Sequence, residues 1–251
     1  MMITVAEVYE AINNFAPFNT QLDFDNSGLL IGSKEKVVTK VAIALDATID
    51  TVNAAADNGC QLLITHHPII FSSMKSIDSD SVVYAAINKG LAVISAHTNL
   101  DAAVGGINDN LAKIIGLNDV APLENSGDVP MARIGKISAV SAKSFAAHLK
   151  NSIGCKGIKF VANDGPITKA AVCGGAGGDF IIAAKNAGAD ALVTGECKHH
   201  ERLLAAQIGL GLFECGHFAT EENAKSIIKS LVEKIGLDYI VIDEKDPADY
   251  L

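Results

Sequence analysis

Two adjacent histidines close an apolar run in LLITHHP, residues 62–68, and a third, His97, closes another in LAVISAH. An imidazole can move a proton near neutral pH or bind a divalent ion through a ring nitrogen. Successive side chains of a strand point to opposite faces, so His66 and His67 are expected to diverge rather than take one ion side by side. Pro68 holds His67 extended and ends the strand. Both rings then stand at a carboxyl end, where open α/β sheets bind ligands. Asp101 follows His97 by four residues, and Glu221 follows His217 by four, opening the helix EENAKSIIKSLVEKI. A carboxylate in a first helical turn is also what the helix dipole favours, so Glu221 alone is unremarkable. Histidines and carboxylates at several strand ends are harder to explain that way. The mixed set suits Zn, Fe, Mn, Co or Ni better than Ca or Mg. Two such ions, about 3.5–4 Å apart, would polarise water and clamp an oxyanion.

Two further clusters offer weaker chemistry. TGECKHHE carries Lys198, His199 and His200, which read equally as an exposed helix start or as contacts to a substrate. His97 and His200 are candidates for proton relay. AVCGGAGGDF places Gly174, Gly175, Gly177 and Gly178 between a strand and a helix, where backbone amides can cradle an anion. The spacing is neither GxGxxG nor a P-loop, and a tight turn explains these glycines as well.

The elements that must position these residues alternate, which predicts an α/β fold. Strands are expected over 38–46, 62–65 and 91–97, with helices over 48–59, 79–90 and 107–117. Thr39–Thr65 laid without gaps on Thr168–Thr194 repeats Thr39, Lys40, Ala42, Asp50, Ala54, Ala55, Gly59, Leu63 and Thr65. His97–Leu117 likewise overlies His217–Leu237, keeping the histidine and the closing Gly-Leu. Generic βα units share some of this likeness. The common order of the two blocks favours a duplicated α/β half. The intervening region reads as a turn cluster (Asn125–Pro130), the strand RIGKISAV, the helix SAKSFAAHLKNSIG and the strand IKFVA. The expected division is 1–120 and 121–251, the C-terminal strand being a candidate to return to the first lobe.

Composition narrows the function class. A chain of 251 residues that is 49% hydrophobic can build one large core or two. A net charge of −9 without basic clusters disfavours nucleic acid as a partner. No apolar run approaches the roughly 20 residues that span a bilayer, and the first residues lack a leader pattern. Five cysteines without a CxxC pair suggest reduced thiols. The expectation is a soluble, cytoplasmic protein.

DNSGLLIG, THHP, AHTNLDAAVGGINDNLA, VCGGAGG, TGE and GHFATE together resemble the Nif-three-like dinuclear metal proteins, also called GTP cyclohydrolase 1 type 2 homologues. The resemblance implies two similar α/β lobes with a metal site between them, two divalent ions per chain and a ring-shaped homohexamer. By motif, His66 and Asp101 would hold one ion, His67 and His217 the other, and Glu221 would bridge; His97 would lie beside the ions without binding them. Family members often read Lys-Tyr-His where this chain has Lys198, His199 and His200, which leaves His199 without an assigned role. The function expected is a metal-dependent hydrolase acting on a nucleotide-like or other small anionic substrate. The alternative is a non-catalytic metal-handling or metal-stabilised scaffold.

Overall fold

The structure, a computed structural model, describes residues 2–124 and 129–249. The turn expected over Asn125–Pro130 lies outside these residues except for Val129 and Pro130. The chain divides into two compact units. One comprises the described residues of Met1–Val104 and Ala224–Lys245, the other those of Gly105–Asn223 and Asp246–Leu251.

The first unit runs β1 (Ile3–Thr4), α1 (Val5–Phe15), β2 (Gly28–Ile31), β3 (Val37–Val38), β4 (Lys40–Ala44), α2 (Ile49–Asp57), β5 (Leu62–Thr65), α3 (Val82–Asn88), β6 (Ala92–Ser95) and α4 (Thr98–Ala102). The second runs α5 (Ile107–Ile114), β7 (Asn118–Pro122), β8 (Arg133–Val140), α6 (Ala142–Ile153), β9 (Lys159–Val161), β10 (Ile167–Cys173), α7 (Ile181–Asn186), β11 (Ala191–Thr194), α8 (His199–Ile208), β12 (Gly211–Glu214) and α9 (His217–Glu221). The chain then returns to the first unit through α10 (Asn223–Lys234) and β13 (Asp238–Val241). The expected division point at 120/121 falls inside β7.

Helix ends follow local chemistry. Thr48 caps α2 by accepting the N–H of Thr51, and Gly59, at φ +70°, lets the chain leave it. The first sheet has the order β13-β4-β5-β6-β2, parallel except for the antiparallel edge strand β2. The second has the order β7-β8-β10-β11-β12-β9, with β10, β11 and β12 parallel at its centre. In this sheet Ala170, Val172, Ala191 and Val193 belong to one apolar cluster, while Ala171, Cys173 and Leu192 belong to another. The alternation means that both faces are covered, which is why these strands are continuously apolar.

The duplication extends to single hydrogen bonds. β4 pairs with β5 in the register Val41↔Leu62, and β10 with β11 in the register Ala170↔Ala191, the same pairing displaced by 129. Gln61 Oε1 accepts from Thr39 N, Thr39 Oγ1 and Lys40 N; Asp190 Oδ2 accepts from Thr168 N, Thr168 Oγ1 and Lys169 N. Lys40 Nζ donates to Asn58 O, as Lys169 Nζ does to Ala187 O. Generic βα units do not reproduce such a set side chain by side chain. Among the described residues no helix is long and apolar enough to cross a membrane.

Candidate functional site

The first unit gathers its candidates where β5 and β6 end. The strand stops at Thr65, and Leu45 O accepts from both His66 N, at 3.1 Å, and His67 N, at 3.0 Å. This bend takes the two histidines out of the strand's alternation. Their rings lie 4.8 Å apart instead of diverging to opposite faces, so that expectation is corrected. His97, at the start of α4, stands 5.1 Å from the ring of His66 and 5.5 Å from that of His67. One ligand atom from each of the three lies within 4.8 Å of the others. Asp101 is buried in α4, its Oδ1 at 3.8 Å from His66 Nε2. That separation is long for a direct hydrogen bond but lies within the span of two ligand bonds of about 2.0–2.2 Å to a shared ion.

Each ring is held by its other nitrogen. His66 Nδ1 donates to Ala96 O at 2.9 Å; a carbonyl cannot donate, so Nε2 of the neutral ring carries the lone pair. His67 Nδ1 meets Asp46 Oδ1 at 2.7 Å and His97 Nδ1 meets Asp25 Oδ1 at 2.8 Å. Asp25 also accepts from Ser27 Oγ, Thr98 N and Thr98 Oγ1. Burial pushes its pKa up, but the hydrogen bonds from His97, Thr98 and Ser27 outweigh this and hold the carboxyl well below the usual range.

In the second unit the equivalent strand end is built differently. Displaced by 129, Gly195 and Glu196 stand where His66 and His67 stand in the first. A side chain at 195 would meet Gly175 O at 2.6 Å and both His217 Cα and Thr220 Oγ1 at 2.8 Å, so this copy has no room for a histidine there. β6 to β12 is displaced by 119, from Thr65↔Ser95 to Thr194↔Glu214, whereas His97 to His217 is displaced by 120. The extra residue is accommodated at Gly216, at φ +91°, and it makes His217 the first residue of α9 rather than a cap. His217 Nε2 then lies 3.0 Å from Glu221 Oε2 one turn on, while its Nδ1 meets Glu196 Oε1 at 3.1 Å. Glu221 ends α9 and does not open the long helix, because α10 begins only at Asn223.

Two of the four glycines, Gly174 and Gly175, lie against this pair. The missing side chain of Gly175 would strike the Glu221 carboxylate and lie 3.3 Å from His217 Nε2; that of Gly174 would come 3.3 Å from Glu221 Cγ. Gly177 leaves room for Thr194 and Gly178 for the Glu201 carboxylate. A cavity of about 300 Å³ is lined by Gly178, Asp179, Glu196, Cys197, Lys198 and Glu201. Burial, then Glu214, pushes the Cys197 thiol up to about 12, so it stays protonated and is no nucleophile. His199 and His200 are exposed in the first turn of α8, with His200 Nε2 4.0 Å from Glu201 Oε1. Sequence reasoning gives no role to Asp25, Asp46 or Glu196. Their signal is position: each lies in or beside a strand-end motif, in DNSG, LD and TGE.

A duplicated α/β chain with imidazole and carboxylate groups at its sheet ends defines the class. It belongs to the Duf34/NIF3 (NGG1p interacting factor 3) family, whose model matches residues 3–247. A Clostridium perfringens protein named GTP cyclohydrolase 1 type 2 homolog is 32% identical, the match covering 98% of each chain. A second protein of that name, from Clostridium acetobutylicum, is 30% identical over 99% of this chain and 98% of its own. The crystal structure of a Staphylococcus aureus hypothetical protein superposes with a TM-score of 0.92 at 27% identity, covering all of both chains.

Proposed function

We propose that the chain is a divalent-metal-dependent hydrolase acting on a nucleotide-like or other small anionic substrate. In this reading, which follows the family likeness, His66 and Asp101 would hold one ion and His67 and His217 the other, with Glu221 as a ligand shared by both. The observation that carries it is the orientation of four imidazoles. His66, His67, His97 and His217 all turn Nδ1 to an oxygen, from Ala96, Asp46, Asp25 and Glu196 respectively, while Nε2 of His66 faces Asp101 at 3.8 Å and Nε2 of His217 faces Glu221 at 3.0 Å. Histidines that bind metals are held in this manner. The donor set, nitrogen with carboxylate oxygen, suits Zn, Fe, Mn, Co or Ni. The relatives' name, GTP cyclohydrolase 1 type 2 homolog, supports a nucleotide as the first substrate to try.

When bound, the two ions would supply an acidified water and stabilise negative charge on the substrate. The chain's own residues supply the rest. Asp25 fixes the His97 ring so that Nε2 can take a proton from water and return it to the leaving group. His200, on the first turn of α8, is the second candidate for proton relay. Lys198 is assigned to the substrate's anionic end; the expected amide cradle is not, because the N–H groups of Gly174, Gly175 and Gly177 donate to Asn108 Oδ1, Thr220 Oγ1 and Thr194 Oγ1. The family likeness supports a ring-shaped homohexamer, and five free thiols support residence in the reducing cytoplasm.

Elemental analysis of the purified protein, followed by a nucleotide hydrolysis screen with the found metal restored, tests the reading. Two ions per chain and turnover that Glu221→Gln abolishes in a folded protein are expected. One ion or none, or undiminished turnover in the variant, rejects it.

A further inference from the structure

The sequence offers no obvious ring to stack on a substrate, yet the first unit carries two exposed phenylalanines beside the histidine cluster. Phe71 is 51% exposed and stands edge-on to His97, with centroids 6.1 Å apart and planes at 77°. Phe24 is 63% exposed, its ring 6.3 Å from that of Phe71 at 53°. The chain fixes both in place. Phe24 precedes Asp25, which is bonded to His97 and Thr98, and Asn26 Nδ2 donates to Ile70 O at 2.6 Å, tying the Phe24 segment to the backbone beside Phe71. Ile69, two residues before Phe71, is buried and belongs to the unit's apolar core.

We infer that Phe24 and Phe71 form a platform for a planar heteroaromatic ring, placed so that the rest of the ligand reaches the histidine cluster. This rests on the hydrolase reading above and names the substrate's recognised part. Two neighbouring large rings exposed beside a polar cluster form an apolar patch of the kind that marks a ligand-binding surface. Phenylalanine faces stack any aromatic base, with little side-chain entropy to lose. His97, its side chain 16% exposed, links the ring pair to His67, 25% exposed, whose ring centroid lies 5.5 Å from its own. The ligand class is therefore a heteroaromatic ring bearing an anionic group, the ring on Phe71 and the anion toward the imidazoles.

The test measures equilibrium binding of GTP and of ribose 5-triphosphate, which lacks the base, to the metal-loaded full chain. Phe71→Ala is expected to weaken GTP binding about 10-fold or more, the loss that removal of a base-stacking ring gives. It should leave ribose 5-triphosphate unaffected, with Phe71→Trp restoring GTP and the melting temperature of each variant unchanged. Equal GTP affinity in wild type and Phe71→Ala overturns the platform, as does equal loss of both ligands or a failure of the wild type to prefer GTP. A change of oligomeric state in Phe71→Ala, read by sedimentation, also overturns it, since the rings would then be a contact between copies. Base-dependent binding without turnover on any substrate would reject the hydrolase reading and leave the platform standing.

Discussion

Glu196 meets Nδ1 of His217 at 3.1 Å while Glu221 lies 3.0 Å from Nε2 of the same ring. One imidazole is thus gripped at both nitrogens, from the loop after β11 on one side and from the last residue of α9 on the other. Asp46 does for His67, at 2.7 Å, what Glu196 does for His217.

Glu196→Ala and Asp46→Ala should therefore weaken metal binding without unfolding the chain. Both carboxylates are well exposed, 61% and 42%, so neither contributes much to the fold. Losing the partner of a metal-binding histidine typically lowers metal affinity about 10–100-fold. Titration against a competing chelator measures this. Affinity within a factor of two of the wild type in both variants would mean that His67 and His217 do not ligate.

Gly175→Ala should be more damaging than its size suggests. The position has φ +62°, and an added methyl would collide with the Glu221 carboxylate. Gly188 is the control. It has φ +75°, and a methyl added there would meet nothing within 4 Å, so Gly188→Ala carries only the backbone cost of about 1 kcal/mol. The expected result is a similar loss of stability from backbone strain in both, with bound metal falling in Gly175→Ala alone. Full metal content in Gly175→Ala would show that Glu221 can move aside without consequence.

The alternation of elements and the repeat are legible in the sequence because apolar strands, capping threonines and helix-ending glycines are local signals. Glu221 is misplaced by the sequence pattern because a short helix, α9, interrupts it, and nothing in GHFATEEN marks the break before Asn223. The two histidines of THHP are expected to diverge only if strand alternation is extended past Thr65. The double acceptor at Leu45 O, a contact across 21 residues to His66, ends the strand one residue before the pair. Asp25 and Asp46 escape notice for the same kind of reason. Their importance lies in partners 72 and 21 residues away, His97 and His67, which no local window joins.

Gln61 and Asp190 supply a pH test of the duplication itself. They occupy equivalent positions and each accepts three hydrogen bonds from a Thr-Lys pair, but only Asp190 carries a charge. Burial pushes Asp190 up, yet the donors from Thr168 and Lys169 and the nearby Lys185 bring its pKa below the ordinary carboxylate value. A group depressed in the folded state adds stability above its unfolded pKa, near 4, and loses that addition as the pH falls through the lower folded value. Asp190→Ala should thus cost about 1 kcal/mol at pH 7 and progressively less below pH ~4. Gln61→Ala should cost a similar amount at both pH values, since an amide does not titrate. Urea unfolding midpoints of the two variants and the wild type, at pH 7 and at the lowest pH where the wild type stays folded, decide it. A pH-independent cost for Asp190→Ala would mean that the charge adds nothing to the hydrogen bonds it accepts.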